Sequence, residues 1–186
     1  MITNNEDQNL IQQYLDGDEK SLELLVQKYL KPIYSFVYRN VGNPAEAEDI
    51  TQEVFVKVWK NIKKFDQTRN FKPWIFQIAK NTSIDFLRKK KSIPFSKFEN
   101  EKGQNVLLDN MQSAPENLIE NLDNKGVLAG AVSQLNDKEQ QVITLRHNDG
   151  LSFKEIAKVL KESINTVKSR YRRALTNMKK AIKNGN

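Results

Sequence analysis

Cysteine is absent from this 186-residue chain, so neither a disulfide nor a thiolate metal site is open to it. Histidine occurs once, at His147, too few for a histidine-based metal or catalytic centre. Glycine (7) and proline (5) are scarce and β-branched alternation is missing, so almost every segment reads as helix. No apolar run approaches the ~18 residues of a membrane span. The polar, acidic start MITNNEDQNLIQQ does not read as a secretory signal. A soluble, cytoplasmic protein without membrane insertion is expected. Also missing are a Gly-rich phosphate loop, a metal-ligand cluster and a nucleophile–base arrangement, and scattered carboxylates make no active site. The expectation is a non-enzyme with no catalytic residues, no metal and no cofactor.

What the chain does have is charge in blocks. Residues 1–56 carry 4 Lys/Arg and 10 Asp/Glu, residues 57–91 carry 11 and 2, residues 92–137 carry 3 and 7, and residues 138–186 carry 12 and 4. Two basic blocks, separated by an acidic one, suggest two contacts with a polyanion; a lysine-rich solvated surface is the plainer alternative.

Hydrophobic spacing gives an all-α fold in two small domains. Leu22, Leu25, Val26, Tyr29 and Ile33 recur at helical spacing, and Pro32 kinks that helix or restarts it. Gly42-Asn43-Pro44 is a break: Asn43 suits an N-cap, Pro44 the first turn, and Glu46 completes a capping box. The next helix runs to about Lys64, burying Ala47, Ile50, Val54, Phe55, Val58 and Ile62. After the polar loop 66–70, a helix opens near Pro73 and reaches Lys91, burying Phe71, Ile75, Ile78, Ala79, Thr82 and Phe86. From 92 to about 124 the pattern dissolves around Pro94, Gly103 and Pro115. A stretch this long does not belong inside one compact domain. The reading is a domain at 1–91, an acidic linker at 92–128 and a second domain at 129–186.

In the second domain, Asn136 and Glu139 form a capping box, and that helix ends at Asp149-Gly150. His147, near this end, suits the helix dipole and receives no function. Ser152 and Glu155 form another box, and Ser163 caps a last helix that buries Ile164, Val167, Tyr171, Ala174, Leu175, Met178 and Ile182. Two capped helices joined by a tight turn form a helix-turn-helix, whose second helix fits the DNA major groove. Opposite its apolar stripe lie Asn165, Ser169, Arg172, Arg173 and Thr176, flanked by Lys168 and Arg170. Arg can bind guanine through two bonds and Asn adenine, while the flanking cations meet phosphates. An ordinary amphipathic helix with a basic outer face is the alternative.

At this point a resemblance is plain. LSFKEIAKVLKESINTVKSRYRRAL resembles region 4.2 of extracytoplasmic-function sigma factors of the sigma-70 family. AEDITQEVFVKVW resembles their region 2.2, and NFKPWIFQIAKNTSIDFLRKKK their regions 2.3 and 2.4. The match covers about residues 20–91 and 130–182, in the family's order. It implies a non-enzymatic factor that directs core RNA polymerase to promoters by recognising −10 and −35 elements. The implied partners are promoter DNA and the polymerase, through its clamp coiled coil and its flap. Asp49, Gln52, Glu53 and Val56, on the outward arc of the region 2.2 helix with Lys60, would meet the clamp. Asn70, Phe71, Trp74, Gln77, Lys80, Asn81, Ile84 and Arg88 would hold the −10 strand, with Asn81 the principal contact and loop 66–71 a pocket for a flipped base. Phe71 and Phe76 are expected to be mainly structural. Asn165, Thr166, Lys168, Ser169, Arg170, Arg172 and Arg173 would read the −35 element. The resemblance also admits an anti-sigma factor, which no residue here identifies.

Two departures stand out. Lys161-Glu162 replaces the Gly and apolar residue that many relatives carry before the serine, so an apolar contact is lost at Glu162. Asn165 replaces a glycine and adds a potential base contact. Two other readings compete: a helix-turn-helix regulator that binds duplex DNA alone, which would need no region 2 motif, and a degenerate sigma-like adaptor, which would lose the basic arc.

Overall fold

A computed structural model describes residues 3–92 and 130–184. The chain divides into two compact units, Met1–Gln104 and Asn105–Asn186. The linker expected at 92–128 lies outside the described residues, apart from Ser92, which ends a helix. Among the described residues there is no strand.

The first unit holds α1 (Thr3–Leu15), α2 (Glu19–Val41), α3 (Pro44–Asn61), a 3-10 turn (Ile62–Lys64) and α4 (Phe71–Ser92). α2 packs on α1, α3 and α4, and α3 packs on α4. It runs unbroken through Pro32, because Tyr29, Ile33, Phe36 and Val37 are all buried around that position. Gly42 ends it in the left-handed region (φ 75°), donating to Tyr38 O at 2.8 Å. Asn43 then accepts from Glu46 N at 3.1 Å and caps α3, with Pro44 in the first turn, where its missing N–H costs nothing. The Glu46 carboxylate does not close the expected box. It pairs with Lys90 at 2.6 Å, tying the start of α3 to the end of α4. At the centre, Phe36 meets Phe76 edge-on at 5.3 Å, and Tyr29 meets Phe71 likewise.

Sequence periodicity alone did not signal α1. Its inner face joins fully buried Ile11 to a polar group: buried Asp7 accepts from Tyr29 Oη at 2.5 Å, and Lys28 Nζ lies 2.7 Å from its other oxygen. Lys28 also reaches Glu6 at 2.6 Å. Burial pulls the Lys28 pKa down, but its bonds to Asp7 and Glu6 outweigh that and hold it above the ordinary 10.5.

The second unit holds a helical turn at 130–133, α5 (Asp137–His147), α6 (Phe153–Leu160) and α7 (Ile164–Asn184). Ala131, Leu135, Ile143, Ala174 and Met178 share one apolar cluster. Asn136 caps α5 by accepting from Glu139 N, but the buried Glu139 carboxylate accepts from Asn177 Nδ2 of α7 instead of closing a box. α5 ends at His147, short of the expected Gly150. Gly150, left-handed at φ 64°, turns the chain back so that Leu151 N donates to Leu145 O at 2.9 Å. The box at Ser152 closes both ways: Ser152 N donates to Glu155 Oε2 (2.8 Å) and Glu155 N to Ser152 Oγ (3.3 Å).

Candidate nucleic-acid and polymerase interfaces

α6 and α7 form the helix-turn-helix. The turn residue Lys161 sits at φ 57°, ψ 44°, the left-handed geometry that glycine adopts without strain. Ser163 Oγ accepts from Thr166 N at 3.0 Å and shares a hydroxyl bond of 2.8 Å with Thr166, fixing the first turn of α7. Asn165, Thr166, Lys168, Ser169, Arg172 and Arg173 are all exposed on this helix.

Arg170 is not part of that surface. It is 7 % exposed, and its guanidinium donates twice to the Glu162 carboxylate, Nη1 to Oε2 at 2.6 Å and Nη2 to Oε1 at 3.1 Å. This corrects its assignment as a flanking DNA contact. The buried stripe is Val167, Arg170, Ala174 and Met178, while Ile164, Leu175 and Ile182 are exposed. Apolar character alone drew the stripe too far towards Ile164, Leu175 and Ile182. The Glu162–Arg170 pair occupies the place where the sequence implied only a lost apolar contact. Tyr171 packs edge-on to Phe153 (5.1 Å) and stacks on His147, whose Nε2 meets the tyrosine hydroxyl at 2.9 Å.

In α4, Phe71, Ile75, Phe76 and Ala79 are buried, while Asn81, Ile84 and Arg88 are exposed on the opposite side. Phe71, 1 % exposed and ringed by Tyr29, Phe65 and Trp74, belongs to the core and is no contact surface. Trp74 is half-buried, with Phe65 at 4.8 Å and Phe71 at 5.5 Å from its ring, so one part of it reaches the surface. Gln77 and Lys80 are partly exposed, and Arg88 reaches Asp85 at 3.2 Å. The preceding loop is ordered by Asp66, which accepts from Thr68 N (3.0 Å), Thr68 Oγ1 (2.6 Å) and Arg69 Nε (2.9 Å). The bonds from Thr68, then the nearby Arg69, hold the Asp66 carboxyl below its ordinary range.

On α3, Asp49, Gln52, Glu53 and Val56 are exposed together. Trp59, one turn beyond Val56 and 57 % exposed, is the largest apolar group on this side, and the sequence reading missed it. The signal was present, since Trp59 lies off the stripe Ala47, Ile50, Val54, Val58. It borders an open groove of about 520 Å³, lined also by Tyr14, Leu22 and Val26. Lys57 joins this surface to α4, reaching Glu53 at 2.7 Å and donating to Thr82 Oγ1 at 3.1 Å. Among the described residues no cluster of metal-ligating side chains occurs, and no helix is long and apolar enough to cross a membrane.

The family profile for sigma-70 region 2 matches residues 25–93, and that for sigma-70 region 4 matches residues 131–180. The ECF RNA polymerase sigma factor SigW of Bacillus subtilis is 33 % identical over 177 residues, covering 93 % of this chain and 95 % of its own. The ECF RNA polymerase sigma-E factor of Escherichia coli K12 is 31 % identical over 172 residues, 90 % of each chain. A solved structure of the sigma factor RpoE with the anti-sigma factor NepR from Bartonella quintana shares the fold, with a TM-score of 0.65 at 22 % identity over 88 % of this chain and 98 % of that one. With both regions in order and relatives matched over nearly their whole length, the chain belongs to the extracytoplasmic-function group of the sigma-70 family, the factors that give RNA polymerase its promoter specificity at the start of transcription.

Proposed function

We propose that the two units divide the promoter between them. Unit two reads the duplex −35 element through Asn165, Thr166, Lys168, Ser169, Arg172 and Arg173. Unit one holds the melted −10 strand on α4, through Trp74, Gln77, Lys80, Asn81, Ile84 and Arg88, with Asn70 on the loop before it. The α3 arc Asp49, Gln52, Glu53, Val56 docks on the polymerase clamp, and Trp59 enlarges its apolar centre. The domain limits are 1–91, 92–128 and 129–186. The polymerase performs the phosphoryl chemistry, in the cytoplasm, and this chain supplies recognition alone. An anti-sigma factor is a fitting inhibitor, as NepR partners RpoE in the related fold.

The observation that carries this reading is α7, whose exposed arc combines Asn, Ser, Thr and Arg directly after a capped turn, against a buried opposite stripe. The test is promoter substitution with holoenzyme. Arg173→Ala lowers transcription that depends on the −35 element by about 1–3 kcal/mol and spares −10 mutant discrimination. Asn81→Ala does the reverse, removing discrimination at the −10 element. Indifference of both variants to their assigned element refutes the division.

A further inference from the structure

We propose that Arg170 and Glu162 form a positioning pair: they aim the start of α7 at the base edges and so set the strength of −35 discrimination, without themselves touching DNA. This rests on the reading that α7 meets the −35 element.

Burial is the first argument. The Arg170 side chain is 9 % exposed, whereas Ser169, Arg172 and Arg173 around it are open. A guanidinium stays charged inside a protein and needs a partner there, and the planar fork of arginine matches a carboxylate with two parallel bonds. The two bonds to Glu162 have that form.

Geometry is the second. Glu162 lies before the cap residue Ser163, and Arg170 lies eight positions on, two turns into α7. The pair therefore spans Asn165, Thr166 and Ser169, the residues that face the bases. It ties the turn to the body of the helix, so that those side chains inherit one orientation. The turn needs such a tie: its left-handed Lys161 is strained, and no apolar side chain at 162 wedges it against α6.

Charge is the third. A carboxylate at the mouth of a DNA-binding helix repels phosphate. Bidentate pairing with Arg170 cancels that charge, leaving the positive surface to Lys168, Arg172 and Arg173. As a unit the pair adds nothing to phosphate affinity, and removing both charges together shows in base discrimination alone.

The test uses full-length protein with core RNA polymerase, on promoters with matched and scrambled −35 elements, across a salt series. Glu162→Gln and Arg170→Gln each reduce the matched-to-scrambled binding ratio about tenfold, the size of one bidentate base contact. In the double variant Glu162→Gln with Arg170→Gln, which removes both charges together, the slope of log affinity against log salt stays at the wild-type value. Exchanging the partners, Glu162→Arg with Arg170→Glu, recovers most of the ratio, which also covers the case in which a single variant unfolds the unit. A slope that falls by about 0.9 in the double variant makes Arg170 a phosphate contact and overturns the proposal. So does an unchanged ratio in the single variants, or a folded exchange variant with no recovery. If the wild type itself fails to separate matched from scrambled elements, the −35 reading falls first, and the pair's role with it.

Discussion

Lys161 has the one left-handed non-glycine backbone among the described residues. A side chain with a Cβ costs about 1–2 kcal/mol there, and glycine gives back about 0.5–1 kcal/mol of that through its freer unfolded state. Lys161→Gly therefore stabilises unit two by about 0.5–1 kcal/mol, read as a raised midpoint in thermal melting; an unchanged or lower midpoint contradicts the strain. Lys28 makes a pH prediction. Its folded pKa is raised above 10.5, so its stabilisation is fully present below the unfolded value and is lost as pH climbs through the folded one. The stability gap between wild type and Lys28→Met stays flat from neutral to about pH 10 and closes above that, which denaturant titrations across pH 7–11.5 would show. A gap that closes nearer neutrality would assign it to another group. At this scale the sequence was only half legible. Exposure of Asn81, Arg172 and Arg173 followed from helical spacing. Inward burial of Arg170 did not, because a periodicity argument sends every charge outward and a buried charge depends on a partner eight residues away. Trp59 was passed over altogether: it lies off the buried stripe, and 57 % of it is exposed.

Helix ends were legible where one side chain meets its own backbone. Asn43, Asn136, Ser152 and Ser163 all cap as their types and spacing imply. The reciprocal half of the box was legible only at Ser152. Glu46 and Glu139 are drawn off by Lys90 and Asn177, partners 44 and 38 positions away that no local rule sees. A closed box predicts that Ser152→Ala costs about 1 kcal/mol and loosens the first helix of the helix-turn-helix, measurable by amide exchange at the start of α6. Protection unchanged at Ile156 and Ala157 would count against it. α1 escaped periodicity because its buried face is short, Ile11 with the polar Asp7 one turn before it, and Asp7 is held by Tyr29 and Lys28. The stripe of α7 was drawn on hydrophobicity and so missed the charged residue that completes it.

At the scale of the whole molecule, the charge blocks agree with the proposed division of labour. The basic block 57–91 falls on the end of α3, the loop and α4, and the basic block 138–186 on the helix-turn-helix, each within a unit with its own core. The acidic start of α3 carries the surface assigned to the clamp. Glu53→Lys reverses charge on that exposed arc and removes an ion pair with Lys57, a surface pair worth well under 1 kcal/mol to the fold. It weakens association with core polymerase while the melting curve stays within about 0.5 kcal/mol of wild type. Normal association in a pull-down rejects the arc. The most direct test of the whole account is in vitro transcription with core RNA polymerase from the source organism, on fragments upstream of its own gene, with and without this protein. The account predicts initiation that appears only with the protein and is lost when either a −10 or a −35 element is scrambled. Absence of protein-dependent initiation, with tight duplex binding by the protein alone, would contradict it and leave a stand-alone DNA-binding regulator in its place.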